Sequence, residues 1–538
     1  MGHLTIEGHK VHLRVGLPSA FPLSLPEISL VKIEPALELS HLADGKRLCF
    51  EADTNLLLDR HDPWGIVQES LARACGLLRR LLSGGQAEEF VQEILAYWST
   101  LSFLVPSVGC IVAATDHPHL TKVLYEGDTP IGVADEPFDF GQSLGTRKND
   151  RLARQNAIYI PIDPLLANTA FIPRELLSLE SLRKYVRALP ERDRVHLGKL
   201  LKQCTQRQEL VVLGVKRPRG DRALLGVYFP ALRGKHPLAD EHAQDQLVPM
   251  SLVRRDHAFL APRGGADVDL RRCRILLTGC GAIGGHLALL LARAGIGHLT
   301  LVDPDVFSLE NTYRHACGMA RPDILKVTGL QHEIQRLVPY ITVDTHPKPL
   351  ETLLAEQPQI LTQHELVLSA MGHPTVEMHL NEQLWSSESH PPALFAWVEP
   401  FGLGGHVLAS HVRSDGGGFA RGCLECLYHH PDADSPLENR AAFATPGVHY
   451  GRDTLGCGST YLPFADMDAM RTAETAARLA LRILRRELTG ASLLSWKGDP
   501  TAFEQAGFTV TPRFAAMPGP FIEEQTAYLR ADCPVCAA

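Results

Sequence analysis

Residues 274–285 read Arg274-Ile-Leu-Leu-Thr-Gly-Cys-Gly-Ala-Ile-Gly-Gly285, and they decide the fold of the C-terminal half. An apolar run, Ile275 to Thr278, feeds Gly279-x-Gly281-x-x-Gly284, and an apolar helix is expected over His286–Ala294. A second apolar run, His298 to Val302, ends in Asp303. This is the pattern of a nucleotide-binding βαβ unit. Its glycines permit a tight turn and let backbone N–H groups approach a phosphate at the positive end of the helix. An acid about 20 positions on is placed to bind a ribose.

Alone, the glycine fingerprint fits NAD, FAD or ATP. The residues that follow narrow it. Asp305, Asn311, Arg314 and Lys326 come after Asp303, and two of them are fixed cations. A dinucleotide needs little positive charge beyond the helix end. A triphosphate whose pyrophosphate departs needs cations to offset the developing charge. The site therefore reads as ATP-using.

The chain has 538 residues, enough for two to four domains, with 45% hydrophobic and 21% charged residues, as in soluble globular proteins. A net charge of -8 argues against a nucleic-acid binder. No apolar run of about 18 residues occurs, and the N-terminus lacks a basic region followed by an apolar one. Neither membrane span nor signal peptide is expected. A myristoylation signal is also absent, because Ile6 stands where Ser or Thr is required. A cytoplasmic location follows as an expectation, with the 12 cysteines mostly reduced.

Three regions separate along the chain. Residues 1–103 hold alternating strands and then helices near Ile66–Leu82 and Glu88–Trp98. Residues 104–250 form a mixed α/β segment, with helices near Pro173–Leu189 and Glu191–Cys204. Residues 251–538 carry the nucleotide unit, further strands and a long amphipathic helix near Ala465–Leu488.

Cys423-Leu-Glu-Cys426 and Cys533-Pro-Val-Cys536 are the chain's CxxC pairs. Two such turns complete a closed four-thiolate site, the chemistry of structural zinc, which would pin the C-terminus back onto its domain. Cys457 differs. It lies between glycines in Leu455-Gly-Cys-Gly-Ser-Thr-Tyr, ahead of the long helix, where a thiol is accessible and a helix N-terminus lowers its pKa. A catalytic and a structural reading of Cys457 stay equally open on spacing. Cys110, Cys204, Cys273, Cys280 and Cys317 read as packing residues, and Cys75 as a core helix face.

The ordered set Gly279-x-Gly281-x-x-Gly284, Asp303-x-Asp305, Asn311-x-x-Arg314, Lys326 and the two CxxC pairs resembles the adenylyltransferase superfamily of ubiquitin-activating enzymes and their thiamine and molybdopterin biosynthesis relatives. The resemblance implies ATP with Mg2+ as cofactor, adenylation of a protein C-terminus, and a homodimer. It also implies ribose binding by Asp303, phosphate contacts from Asn311, Arg314 and Lys326, and a thioester on Cys457. Arg254 or Arg255 would reach into the partner subunit's ATP site. The chain departs from that family in having His315 where Gln is common. It also has no aspartate in Leu368-Ser-Ala-Met-Gly-His-Pro, which leaves Asp305 or the phosphates to hold the metal.

Upstream, the order strand, Pro-bounded turn, strand, His41, Gly45-x-x-x-Cys49, Trp64 and helix is similar to the core of ubiquitin-conjugating enzymes. The resemblance implies that Cys49 carries a thioester and hands it to an amine, with His41 in a supporting role, oxyanion stabilisation or loop positioning. The family's His-Pro-Asn triplet and its first helix and strand have no counterpart. The fold class expected is thus α/β: a ubiquitin-conjugating-like α+β domain, a mixed α/β middle domain, and a Rossmann-like adenylation domain with a mostly parallel sheet and a four-cysteine zinc site.

Together the two modules resemble the fusion enzymes of CBASS anti-phage operons, in which a cyclic-oligonucleotide synthase is conjugated through its flexible C-terminus to a target amine. Two further readings stand beside it. One is the same relay on a dedicated ubiquitin-like modifier, and the other is a sulfur-carrier adenylyltransferase of cofactor biosynthesis. An NAD-dependent oxidoreductase is a third possibility and predicts no ATP–pyrophosphate exchange.

Overall fold

The computed structural model describes residues 2–537 except 38, 44–45, 52–55, 103–106, 136–152, 168–170, 205–207, 231, 233–234, 241, 244–245, 321–322, 431–435 and 454–459. The chain folds as two compact units, residues 1–256 and 257–538.

The first unit opens with a five-stranded antiparallel sheet in the order Gly2–Ile6, His9–Gly16, Glu27–Glu34, Arg47–Leu48, Leu42–Ala43. Alternation puts Val11, Leu13, Ile28 and Leu30 inside, where Ala74, Leu77 and Leu78 of the Pro63–Arg80 helix cover them. Asp62 starts that helix by accepting the Gly65 N–H at 2.8 Å, with Pro63 at its first position. Gly84, at φ 113, breaks the helical path. The helix expected near Glu88–Trp98 is two helices, Gln86–Gln92 and Ile94–Leu101, because Glu93 leaves helical geometry at ψ 12.

The apolar faces of those two helices do not join the first sheet's core. Phe90, Val91, Ile94 and Trp98 pack with Ile160, Leu213 and Leu225 of a second sheet. That sheet has eight strands, in the order Val248–Met250, Arg222–Phe229, Glu209–Lys216, Ala153–Ile162, His119–Glu126, Thr129–Ala134, Val108–Ile111, Leu252–Arg254. The buried Trp98 indole N–H donates to the Met250 carbonyl at 3.1 Å. The helix expected near Pro173–Leu189 is a 3-10 turn, Pro173–Leu177, and a helix, Leu179–Arg187, separated by extended Ser178.

The second unit is built on an eight-stranded sheet in the order Thr342–His346, His298–Val302, Arg274–Thr278, Leu366–Ser369, Ala393–Val398, Gly404–Ser410, Ser492–Lys497, Phe521–Glu524. The first five strands are parallel and the last three pairings antiparallel. Both faces are covered, so the central strands are apolar throughout. Ile275 and Leu277 face the helices Ala282–Ala294 and Asp466–Leu484, whereas Leu276 faces Leu353 and Leu380 on the other side. Strands His298–Val302 and Thr342–His346 lie on one side of Arg274–Thr278 and the next strand, Leu366–Ser369, lies on the other, so the strand order reverses there, a topological switch point where α/β sheets bind ligands. No helix among the described residues is long and apolar enough to cross a membrane.

Candidate functional site

The glycine turn at the switch point is shaped by close contacts. Gly279 has φ +82, and a Cβ there would lie 2.6 Å from the Ala370 carbonyl carbon. A Cβ on Gly284 would lie 1.8 Å from the Gly279 carbonyl oxygen, so this glycine lets the helix close onto the turn. Gly281, just ahead of helix Ala282–Ala294, would meet no atom within 4 Å. Two glycines serve the fold, and the third leaves backbone open toward the helix N-terminus, the place for a phosphate.

Asp303 ends the neighbouring strand and is buried. One carboxylate oxygen accepts the Cys280 N–H at 2.7 Å and the other accepts the Asp305 N–H at 2.8 Å. Burial raises its pKa above the ordinary carboxylate value, and the Lys326 ammonium opposes that rise. Lys326 begins the helix Lys326–Leu337 and bonds the Asp305 carboxylate at 2.7 Å.

Asn311 and Arg314 lie in a 3-10 turn, Leu309–Arg314. The Asn311 side-chain oxygen accepts from two Arg314 nitrogens at 3.4 Å, and a third donates to the Leu462 carbonyl at 3.1 Å. The guanidinium sits over the rings of Phe464 and Tyr461, at 4.9 and 5.7 Å. Partial burial lowers its pKa. The next residue, His315, is a site element that sequence reading registered only as a departure. Its Nε2–H donates to the Cys280 carbonyl at 2.8 Å and its Nδ1 accepts the Cys317 N–H at 3.1 Å. Burial pushes its pKa down, so the ring is held neutral in one tautomer.

Beside the loop after strand Leu366–Ser369, Glu377 in the first turn of helix Pro374–Trp385 is buried and accepts the Ser369 hydroxyl at 2.7 Å. That carboxylate is spent on the loop's own structure. Asp305 is exposed and paired with Lys326, and its carboxylate could hold a metal ion. Cys457 lies outside the described residues. Flanking strands Arg452–Asp453 and Thr460–Tyr461 pair with each other.

The two CxxC turns come together. Cys423, Cys426, Cys533 and Cys536 are all buried, with their sulfurs within 4.8 Å of one another. The Cys423–Cys533 sulfurs are 3.6 Å apart and the Cys426–Cys536 sulfurs 3.5 Å. A tetrahedral zinc site with Zn–S bonds of about 2.3 Å needs sulfurs about 3.8 Å apart. The donor set and spacing fit zinc.

In the first unit, Cys49 is exposed and follows strand Arg47–Leu48. Its N–H donates to the His41 carbonyl at 2.8 Å. His41 adopts the left-handed φ of 60, and its Nε2–H donates to the Glu89 carboxylate at 3.0 Å. Cys49 and His41 line one groove of about 870 Å³, together with Leu30, Ile33, Leu39 and Tyr97. Glu89 and Tyr97 were not picked out as site residues from sequence, because no spacing rule links them to His41. Arg254 pairs with Asp256 at 2.8 Å on the sheet-edge strand Leu252–Arg254, and the Arg255 N–H donates to the Cys110 carbonyl at 2.7 Å. Cys110, Cys204, Cys280 and Cys317 are buried, in keeping with packing roles, and Cys273 is half-buried.

Comparison with known proteins adds to this geometry. Residues 257–504 match the ThiF family and residues 1–103 the Prokaryotic E2 family B. The chain is 26% identical over 487 residues to the ATP-dependent ubiquitin transferase-like protein Cap2 of Pseudomonas aeruginosa, spanning 85% of this chain and 82% of that one. It is 32% identical over 127 residues to the molybdopterin-synthase adenylyltransferase of Escherichia coli, 22% of this chain and 48% of that one. A crystal structure of E. coli MccB covers 52% of this chain and 70% of that one, at TM-score 0.35 and 15% identity.

Proposed function

Because this chain is a ubiquitin-activating- and conjugating-like enzyme, in which a ThiF-family domain follows a prokaryotic E2 family B segment, we propose that it runs a complete conjugation relay. The second unit binds ATP at the glycine turn and adenylates the C-terminus of a protein substrate, releasing pyrophosphate. Lys326 and Arg314 offset charge on the phosphates, Asn311 orients Arg314, Asp303 holds the ribose, and Asp305 assists Mg2+. Cys457 takes the acyl group from the adenylate as a thioester, with loss of AMP. Transthiolation passes it to Cys49, and an amine on the target then takes it as an amide. Arg254 or Arg255 completes the ATP site of a second subunit in a homodimer. Zinc at the four cysteines ties residues 533–536 to the domain and has no step in the reaction.

The observation that carries this reading is the exposed Cys49 thiol opening on a groove, in the same chain as a phosphate-shaped turn backed by Lys326 and Arg314. A thioester retains much of the free energy of ATP cleavage, so the transfer from Cys457 to Cys49 needs no second nucleotide. The likeness to the ATP-dependent ubiquitin transferase-like protein Cap2 supports protein conjugation. The activated protein in this reading is a cyclic-oligonucleotide synthase of an anti-phage operon, with a dedicated ubiquitin-like modifier as the alternative, and the protein encoded next door decides between them.

The test is mass spectrometry of the wild-type chain, Cys49→Ala and Cys457→Ala with ATP and the synthase. Wild type forms an amide-linked product, Cys49→Ala stops at a thioester on Cys457, and Cys457→Ala releases pyrophosphate without a thioester. Conjugation that survives Cys49→Ala sinks the relay. Adenylation by the wild-type chain with no amide-linked product would instead favour a sulfur-carrier adenylyltransferase, the reading supported by likeness to the molybdopterin-synthase enzyme.

A further inference from the structure

Three separate elements converge on one loop residue beside Cys49. His41 is bonded through its carbonyl to Cys49, through its N–H to the Tyr97 hydroxyl, and through its ring to Glu89. Glu89 comes from helix Gln86–Gln92 and Tyr97 from helix Ile94–Leu101. The left-handed backbone at His41, unfavourable for a residue with a Cβ, persists because these bonds over-determine it. Such strain beside an exposed thiol is a mark of a working site rather than of packing.

Building on the reading of Cys49 as a thioester carrier, we propose that His41, Glu89 and Tyr97 are its acyl-transfer machinery. Glu89 is the positioning residue, and His41 and Tyr97 act on the reacting atoms.

The hydrogen-bond directions assign the roles. A carboxylate only accepts, so His41 Nε2 carries the proton that Glu89 takes, and the lone pair of the neutral ring is on Nδ1. The Tyr97 hydroxyl accepts the His41 N–H, which leaves its own proton to donate. Burial pushes the Tyr97 pKa up to about 12, so this donor persists through the neutral range. Tyr97 packs edge-on against Phe90, with ring centroids 5.2 Å apart, which fixes the hydroxyl. It supplies an oxyanion donor where the conjugating-enzyme family's asparagine has no counterpart.

In the transfer step the amine lone pair attacks the thioester carbonyl and a C–N bond forms. The carbonyl oxygen becomes an oxyanion that accepts the Tyr97 O–H. The nitrogen's proton passes to His41 Nδ1. The C–S bond then breaks, and its electron pair leaves on Cys49 Sγ, which recovers a proton from the imidazolium. An ordinary amide and a free thiol result. The other charged groups on this groove are Glu93 from the helices, Lys32 from strand Glu27–Glu34, Lys46 from the Cys49 loop and Arg174 from the 3-10 turn Pro173–Leu177.

The test uses the full chain with a preformed Cys49 thioester. ATP is removed, methoxyamine (uncharged over the range) is added, and discharge is followed against pH, normalised to the thioester present. We expect His41→Asn, which keeps a left-handed backbone accessible, to slow discharge about 100-fold and to abolish the acid limb. Glu89→Gln should slow it about 10-fold and Glu89→Asp should recover most of that loss, because a carboxylate again takes the Nε2 proton. Tyr97→Phe should slow discharge about 100-fold at every pH without moving the limb. A wild-type discharge rate with the acid limb retained in His41→Asn, and a wild-type rate in Glu89→Gln, would overturn the proposal and leave the relay standing. Failure of the wild-type chain to form any Cys49 thioester would instead remove the reading on which it rests.

Discussion

Asp303 and His315 hold Cys280 from opposite sides, the carboxylate taking its N–H at 2.7 Å and the imidazole donating to its carbonyl at 2.8 Å. Cys280 is the residue between Gly279 and Gly281, so this clamp sets the plane of the turn that faces the helix N-terminus. Asp303→Asn puts an amide N–H against one backbone N–H, and His315→Ala leaves a buried carbonyl unpaired. Each should lower unfolding free energy by about 1–3 kcal/mol. Both should also weaken ATP binding, read by calorimetry. His315→Gln, which retains a donor, should bind ATP more tightly than His315→Ala. Equal affinity in those two variants would contradict the clamp.

The three glycines of the turn should separate into folding and binding effects. Gly281→Ala adds a methyl into open space and should change unfolding free energy by less than about 0.5 kcal/mol. It should nevertheless lower ATP affinity at least about 10-fold, because the methyl occupies phosphate volume. Gly284→Ala drives its Cβ into the Gly279 carbonyl, and Gly279→Ala adds strain at a positive φ. Those two should lower the melting temperature measurably. Loss of stability in Gly281→Ala with unchanged nucleotide binding would reverse the assignment.

What could be read from the sequence was what spacing encodes. The glycine turn, Asp303, and the four cysteines depend on residues close in the chain or on a repeated pair, and the structure brings each of those sets together. The parallel centre of the second unit's sheet was legible for the same reason, since its apolar strands alternate with helices, whereas strands Thr342–His346, Ser492–Lys497 and Phe521–Glu524 were not. His41–Glu89 and His41–Tyr97 were not legible, because the loop and the two helices meet only through tertiary packing. Nor could periodicity show that Phe90 and Trp98 turn away from the first sheet to a different core, since an apolar helical face does not name its partner. His315 looked like a mere departure until its two bonds gave it a role.

The zinc site should be measurable directly. Thiol displacement with a colorimetric chelator should release about one zinc per chain from wild type and none from a Cys423→Ala/Cys533→Ala double variant. Removal of the metal exposes four packed thiols, since Cys423, Cys426 and Cys533 sit in a core with Leu424, Leu427 and Tyr528. A loss of about 3 kcal/mol should lower the melting temperature of the second unit by roughly 6 °C. A metal-free wild-type chain with full stability would dismiss the structural role.

Lys326 and Arg314 should differ in how they fail. Lys326→Ala removes a phosphate cation and leaves Asp305 unpaired, and ATP–pyrophosphate exchange should fall about 100-fold. Arg314 also holds the Leu462 carbonyl and lies over two rings, so Arg314→Lys should lose nearly as much as Arg314→Ala. An Arg314→Lys chain with wild-type exchange would show that charge alone is required there.

Acid should destabilise the second unit through His411. The ring is buried, stacked on Phe419 at 3.8 Å, and bonded to the Pro391 carbonyl at 3.2 Å, and burial pushes its pKa down to about 4. The folded state therefore holds His411 neutral, while the unfolded chain takes a proton near pH 6.5. Above that value both states are neutral and the full stability is present. As pH falls from about 6.5 toward 4, only the unfolded state gains the proton, and about 3 kcal/mol is lost. Asp303 and Glu377, whose pKa values burial raises, contribute with the opposite sign in the carboxylate range, so the wild-type curve alone is ambiguous. His411→Asn resolves it. Asparagine tolerates the left-handed φ of 56 at this position and does not titrate. Urea unfolding at several pH values should show a shallower acid loss in His411→Asn than in wild type, whatever the offset at pH 7. Parallel curves would mean that His411 is not the group that titrates.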